Sequence, residues 1–273
     1  MIGIVGDPVH QVRSPQLFTQ EFVKSGRDAV CIPFAVAPQH LQVFFGGVQN
    51  VGNLDGLLFT VPHKRNAAML VDRLVGAAQR LGAINVARRE GDDSWSGAMF
   101  DGVGCVLALR WADAAPNGKH VLLIGAGGAG GAIGLAIAEA GAARLTITDI
   151  DAAASERLAD LIARVVPPCE VAVCDLGGAP SFDIIVNASP VGMISVDPLP
   201  IPPSMLRSGM AVVDLVTAPA PTPFCKIAAS SGCRVITGVD MHDGQSVYAA
   251  RYLGLEYWPS HRPRLPIEPA LAP

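Results

Sequence analysis

The run Gly125-Ala126-Gly127-Gly128-Ala129-Gly130 follows the apolar stretch HVLLI and opens an alanine-rich segment. Glycines at its first, third and sixth places suit a pyrophosphate. Gly125 permits a tight turn, Gly127 lets the backbone approach the phosphates, and Gly130 lets a helix pack closely on the strand. The helix N-terminus that follows offers backbone N–H groups and a positive dipole end. No G-K-[ST] follows, so the turn is not an ATP-type P-loop. Asp149 ends the next apolar run, LTITD, 19 residues after Gly130. That is close to the ~20 residues expected of an acid that holds a ribose 2′-hydroxyl. A carboxylate there repels a 2′-phosphate, and TDIDAAAS supplies no Arg or Lys to hold one. The cofactor expected is NAD rather than NADP. A helix cap is the other use for an acid here, and Asp151 can fill it.

Nicotinamide chemistry also needs a group that handles the hydroxyl proton. Lys64 ends the stretch LLFTVPHK, just past an apolar run. Free lysine titrates near ~10.4, and burial or a nearby cationic nicotinamide lowers that value, whereas a neighbouring carboxylate opposes the shift. Asp101 ends another apolar segment, GAMFD, and is the candidate partner. Taken singly, each could equally be a surface charge.

The elements that must position these groups alternate. IGIVG (2–6), AVCIPFAV (29–36) and LDGLLFTV (54–61) read as strands; SPQLFTQEFVKSG (14–26) reads as a helix with Ser14 as N-cap and Pro15 at its first turn. PQHLQVFFGGV reads as a helix closed by its glycines, AAMLVDRL and VGAAQRLG as helices, and AINVARRE with SWSGAMF as an outer hairpin. A second sheet begins near Gly118 and continues through VAVCD, FDIIVNAS, MAVVDLV and CRVITG. A last helix spans 244–254, with Asp240 and Asp243 flanking a turn and capping it, and the proline-rich tail 259–273 reads as loose. Strands alternating with helices imply α/β architecture with parallel sheets.

Composition limits the partners. Of 273 residues half are apolar and 16% are charged, with a net charge of −4 and no basic block, which argues against nucleic acid. The N-terminus lacks the basic and apolar regions of a signal peptide, and no apolar stretch reaches a membrane span. Six cysteines form no C-x-x-C pair, and the histidines show no ligand spacing, so no metal is expected and the thiols read as buried and free. A cytoplasmic protein, monomer or homodimer, acting on a small molecule is the expectation.

Read together, the motifs resemble the shikimate/quinate dehydrogenase family over nearly the whole chain. Its early serine loop is similar to DPVHQVRSP, its N-V-T-V-P-x-K to LLFTVPHK, its G-A-x-N-T to GAINV and its N-T-D-G to MFDG. GAGGAG, VNASPVGM and TGVDMHDGQ follow in the family's order. The resemblance implies a substrate-binding domain over 1–101, with the C-terminal segment 243–273 packing back on it. It implies a Rossmann-type doubly wound NAD(P)-binding domain over 102–242. It implies that Lys64 and Asp101 are the catalytic pair, with Asn85 on a ring hydroxyl, Thr60 and Gln245 nearby, and Ser14 on the substrate carboxylate of an alicyclic hydroxy acid. Asn187, Ala188, Ser189, Gly238 and Met241 would join the glycine turn at the cofactor. His63 would shape the pocket rather than carry protons, and Met69 and Met99 would pack.

Four positions depart from the family. Val12 replaces one of two carboxylate-binding serines, Leu58 a polar residue, Met99-Phe100 the N-T pair, and Val216 a tyrosine. Arg13 offers a substitute contact for the carboxylate. Losing groups that hydrogen-bond a substrate weakens it by large factors, so a paralogue acting on a less polar substrate stands beside shikimate and quinate. A dinucleotide-binding sensor without turnover and another lysine-using dehydrogenase, such as one acting on folates, are the remaining alternatives.

Overall fold

The computed structural model describes residues 1–174, 181–194 and 196–266, so the last seven positions of the tail expected to be loose lie outside the described residues. The chain divides into a first unit, Met1–Phe100 with Ser246–Pro273, and a second, Asp101–Gln245.

The first unit runs β1 (Ile2–Gly6), α1 (Ser14–Lys24), β2 (Cys31–Ala35), α2 (Leu41–Val48), β3 (Gly56–Phe59), α3 (Lys64–Ala68), β4 (Arg73–Leu74), α4 (Ala77–Leu81), β5 (Val86–Arg89) and β6 (Trp95–Ala98). Its sheet has the order β2-β1-β3-β5-β6-β4. β1 is parallel to β2 and β3, and β5 is antiparallel to both β3 and β6. β1, β3 and β6 are buried along their whole length, as expected of strands covered on both faces. Pro33 sits in β2, an edge strand, where a missing N–H is tolerated.

Several local expectations give way to tertiary contacts. AAMLVDRL is not one helix: α3 stops at Ala68 and Arg73–Leu74 forms β4 beside β6. Asp72 causes the switch, since its carboxylate accepts from Trp95 N–H at 2.7 Å and its own N–H donates to Trp95 O at 2.9 Å. A local helix preference is a weak force against such pairing. The hairpin β5–β6 is therefore not outermost. α2 runs through Gly46 and Gly47 instead of ending there, both exposed with open space around them. Ser14 is the first residue of α1 rather than its cap, a place taken by Arg13.

Glu90 ties the far strands together. It accepts from Arg73 at 2.9 Å, from Arg88 at 2.9 and 3.0 Å, and from Ser96, whose hydroxyl also meets the Tyr252 hydroxyl. Burial alone would push the Glu90 carboxyl up, but the donors of Ser96, Arg88 and Arg73 together hold it below the usual range. A lowered folded value gives stabilisation that is present above the unfolded value of ~4.3 and lost as pH falls through the folded one. Glu90→Gln is expected to lower the melting temperature at neutral pH by a few degrees, roughly 1 kcal/mol, and the gap should narrow below about pH 4. A gap unchanged between neutral and acid melts would refute the linkage.

The second unit runs α5 (Asp101–Trp111), β7 (His120–Ile124), α6 (Gly128–Glu139), β8 (Arg144–Thr148), α7 (Ala152–Val165), β9 (Glu170–Val173), β10 (Ile184–Asn187), β11 (Ala211–Asp214), α8 (Pro223–Ser230) and β12 (Arg234–Thr237). Its sheet, β9-β8-β7-β10-β11-β12, is parallel throughout. In chain order this is the 3-2-1-4-5-6 winding of the Rossmann fold, whose order reverses between the first and fourth strands. Glycines bring its helices close: a Cβ on Gly102 would overlap the Ala132 carbonyl oxygen of α6. α9 (Gly238–Tyr252) is one helix whose residues to Gln245 belong to this unit and the rest to the first.

α9 begins six residues earlier than the sequence suggests. Thr237 N–H and Oγ1 both donate to Asp240 Oδ2, at 2.6 and 2.7 Å, and Asp240 N–H returns to Thr237 Oγ1 at 3.4 Å. This reciprocal cap starts the helix at Gly238. Asp243 is therefore no cap but a buried residue inside the helix. Among the described residues no helix is long and apolar enough to cross a membrane. Four of the six free thiols are buried and two half-buried; burial pushes Cys31 and Cys105 up to about 12.

Candidate active site

In the first unit, sheet geometry brings four segments to one edge. β3 runs parallel to β1, and β6 shares that direction because both are antiparallel to β5. The carboxyl ends of β1, β3 and β6 and the amino end of β5 therefore lie on the same side. They lead into Val12 and Ser14, into Thr60 and Lys64, into Phe100, and out of Asn85.

Hydrogen bonds fix this edge. Phe59 N–H donates to Asn85 O at 2.8 Å, and Asn85 N–H to Ala98 O at 2.9 Å. Lys64 O accepts from Ile84 N–H at 2.8 Å, and Asn85 Oδ1 accepts from Phe100 N–H at 3.0 Å. One side chain, Asn85, thus joins the residue beside the Lys64 contact to the backbone just before Asp101. Thr60 N–H donates to Val5 O at 2.9 Å, and a Cβ on Gly6 would overlap the Thr60 methyl.

Lys64 is half-buried and opens α3. A cation at the positive end of a helix is locally unfavourable, by up to about 1 kcal/mol. Asp101, wholly buried, opens α5, where the dipole favours a carboxylate. His63 is buried beside Lys64, its Nε2 2.7 Å from Val36 O, so this nitrogen carries the proton; Nδ1 has no partner among the described residues. The ring braces the loop.

The departures are apolar by packing as well as by type. Phe100 is buried against Tyr248, at 6.1 Å between centroids, and Tyr252, at 5.6 Å. Leu58 and Val216 are buried, Val12 is half-buried and Arg13 is exposed. Lys64 belongs to the first unit; Asp101 and Gln245 belong to the second.

In the second unit the glycine turn joins β7 to α6 at the point where the strand order reverses. Gly125 has φ +99°, and a Cβ there would lie 2.9 Å from Ala188 C and Ser189 N. A Cβ on Gly130 would overlap the Gly125 carbonyl oxygen, whereas one on Gly127 would meet nothing within 4 Å among the described residues. The open space thus lies over Gly127, the N-cap of α6, an end that no side chain caps. Asp149 Oδ2 accepts from Ala126 N–H at 2.6 Å and Oδ1 from Asp151 N–H at 2.9 Å, which seats the acid on the turn. Asp151 caps α7 through Ala153 N–H. Backbone donors at an uncapped helix end, clear space over Gly127 and an adjacent acid fit a dinucleotide. Gly128 and Ala129 begin the helix on this turn.

Asn187 does not fit a direct cofactor contact. It is wholly buried, and all four of its hydrogen-bonding positions are used within the protein: Nδ2 donates to Val191 O and Asp214 Oδ1, and Oδ1 accepts from Ser189 N–H and Oγ. It shapes the turn that carries Ala188 and Ser189. Gly238 packs on the Leu215 backbone, and Met241 is buried. Sequence reasoning passed over Asp214 and Thr222; the Thr222-Pro223 pair, a helix-start signal, was the available clue.

This winding, with a glycine turn at the reversal and an acid on it, defines a dinucleotide-binding α/β protein. The shikimate dehydrogenase substrate binding domain matches residues 4–87. A shikimate dehydrogenase (NADP(+)) of Rubrobacter xylanophilus is 37% identical over 92% of this chain and 89% of that protein. A crystal structure of a shikimate dehydrogenase with NADP+ superposes with a TM-score of 0.84 at 29% identity, covering 93% of this chain and 90% of the other. Quinate dehydrogenase from Corynebacterium glutamicum with NAD also gives 0.84, at 28% identity, covering 93% and 94%. The chain belongs to the shikimate dehydrogenase family, and with it to the NAD(P)-dependent oxidoreductases acting on CH–OH groups.

Proposed function

We propose that the chain is an NAD-preferring dehydrogenase of the shikimate/quinate type, exchanging a hydride between nicotinamide and a ring hydroxyl or ketone of an alicyclic hydroxy acid. Bound nicotinamide supplies the hydride acceptor. The chain's own work is to bind, orient and move a proton. Lys64 Nζ takes the carbinol proton and Asp101 orients it. Asn85, Thr60 and Gln245 hold ring hydroxyls, and Ser14 holds the carboxylate. The observation that carries this reading is the placement of Lys64. It stands at a helix start where local energetics disfavour a cation, on the sheet edge that also gathers Ser14, Thr60 and Asn85. A spectrophotometric panel of alicyclic hydroxy acids with NAD and NADP tests it. Turnover of shikimate or quinate supports the reading, and no turnover of any ring hydroxy acid removes it.

The buried aromatic packing of Phe100 favours a second reading, a less polar ring substrate; the same panel separates the two.

NAD preference rests on the Asp149 carboxylate, held on the glycine turn where a 2′-phosphate would meet like charge. Asp149→Asn is expected to raise kcat/KM for NADP relative to NAD roughly ten- to thirtyfold, about 1.4–2 kcal/mol. A ratio that does not move would remove the preference argument.

A further inference from the structure

A wholly buried polar chain lies behind the glycine turn. Asp214, the last residue of β11, accepts at Oδ1 from Asn187 Nδ2 at 2.9 Å and from Val216 N–H at 3.3 Å. Its Oδ2 accepts from Thr222 Oγ1 at 2.6 Å and from the Cys225 thiol at 3.8 Å. Burial pushes that thiol up, with the Asp214 charge adding to it and the Thr222 hydroxyl opposing, so it remains a donor. Thr222 is fixed in turn as the N-cap of α8, accepting from Cys225 N–H at 3.1 Å. Four donors converge on one carboxylate, and Asn187 is the member that leads outward.

Asn187 passes this order on. Its amide closes the turn over 187–191 through Ser189 and Val191, and Ser189 Oγ also accepts from Val191 N–H at 3.3 Å. That turn lies against Gly125 so closely that a single methyl would not fit between them. We propose that Asp214 is a positioning residue for the dinucleotide: through Asn187 it sets the 188–191 turn against the glycine turn, and so sets cofactor affinity. The inference rests on the dinucleotide reading of the glycine turn.

The chemistry of the pair explains the dependence. An amide at 214 would present its NH2 group, or a carbonyl shared among fewer acceptor sites, to donors that now have two oxygens. If the NH2 faced Asn187 Nδ2, two donors would oppose each other at the present 2.9 Å. Flipping Asn187 relieves that clash only by turning Nδ2 toward the Ser189 N–H, a second donor. The other orientation at 214 keeps the Asn187 bond but turns the NH2 group toward Thr222 and Cys225, whose hydroxyl and thiol then lose their acceptor.

The test is dinucleotide titration followed by fluorescence, with kcat measured at saturating dinucleotide and circular dichroism as the check of folding. Asp214→Asn is expected to raise the dinucleotide Kd at least tenfold while kcat at saturation falls less than threefold. Thr222→Val, which removes one donor to Asp214, should raise Kd at least threefold. Thr222→Ser, which keeps the hydroxyl, should stay within twofold of the parent. A folded Asp214→Asn protein with Kd within twofold of the parent overturns the proposal. Should that variant not fold, Thr222→Val decides alone, and an unchanged Kd there overturns it equally. A parent protein that binds neither NAD nor NADP overturns the dinucleotide reading itself, and the proposal with it.

Discussion

Lys64→Ala is expected to lower kcat about 10²- to 10⁴-fold, the usual range for removing a positioned acid–base group, while the dinucleotide Kd stays within twofold. The physical case starts from α3. Lys64 is the first residue of a five-residue helix, at the end where the dipole disfavours a cation. Alanine is the best helix former and carries no charge against the dipole. Melts run beside the kinetics check that the variant is folded, so that a loss of turnover is read on folded protein. Lys64→Arg separates proton transfer from charge. A guanidinium keeps the positive charge but does not deprotonate in proteins, so kcat should fall nearly as far as in the alanine variant. An arginine variant with more than about a hundredth of parental kcat would contradict the role of Lys64 as base, since a loss of about 10²-fold is the low end of the acid–base range.

Gly130→Ala is expected to abolish measurable dinucleotide binding and to lower the melting temperature by several degrees. The added methyl would overlap the Gly125 carbonyl oxygen, a backbone atom that cannot rotate away. Overpacking of this kind costs about 1–3 kcal/mol, and a unit of this size shifts by ~2–4 °C per kcal/mol. Relief requires moving the turn, and the turn is wedged on its other side against Ala188 and Ser189. Gly127→Ala is the contrasting control. Its φ is −70°, which alanine adopts freely, and no described residue lies within 4 Å of the new methyl. It should keep the parental melting temperature and still weaken the dinucleotide at least tenfold, because the methyl enters the space the phosphates need. Parallel melts and titrations check both variants; unimpaired binding by both would remove the glycine turn as the cofactor seat.

Some of this was legible in the chain before any coordinates. HVLLI, the glycine run and LTITD place a strand, a turn, a helix and a strand in about 30 residues, and Asp149 falls at their end. Both signals are local. Glycine spacing sets which backbone can close, and apolar runs set which segments must be buried on two faces. The α/β class followed from the same alternation, and the six-stranded parallel sheet agrees with it. The order of the first sheet was not legible. β4 exists only because Asp72 pairs with Trp95, a partner 23 residues away that no periodicity announces.

The sequence by itself determined the elements and the residue types at their ends: a lysine after β3, an acid after β8, glycines after β7. Only the tertiary structure decided which of those ends share an edge and which polar groups are already committed. The family resemblance put Asn187 at the cofactor, yet its four hydrogen bonds go to Asp214, Ser189 and Val191. The reason is physical. Burial and hydrogen-bond satisfaction depend on neighbours far apart in the chain, whereas turns, caps and runs depend on neighbours a few residues away.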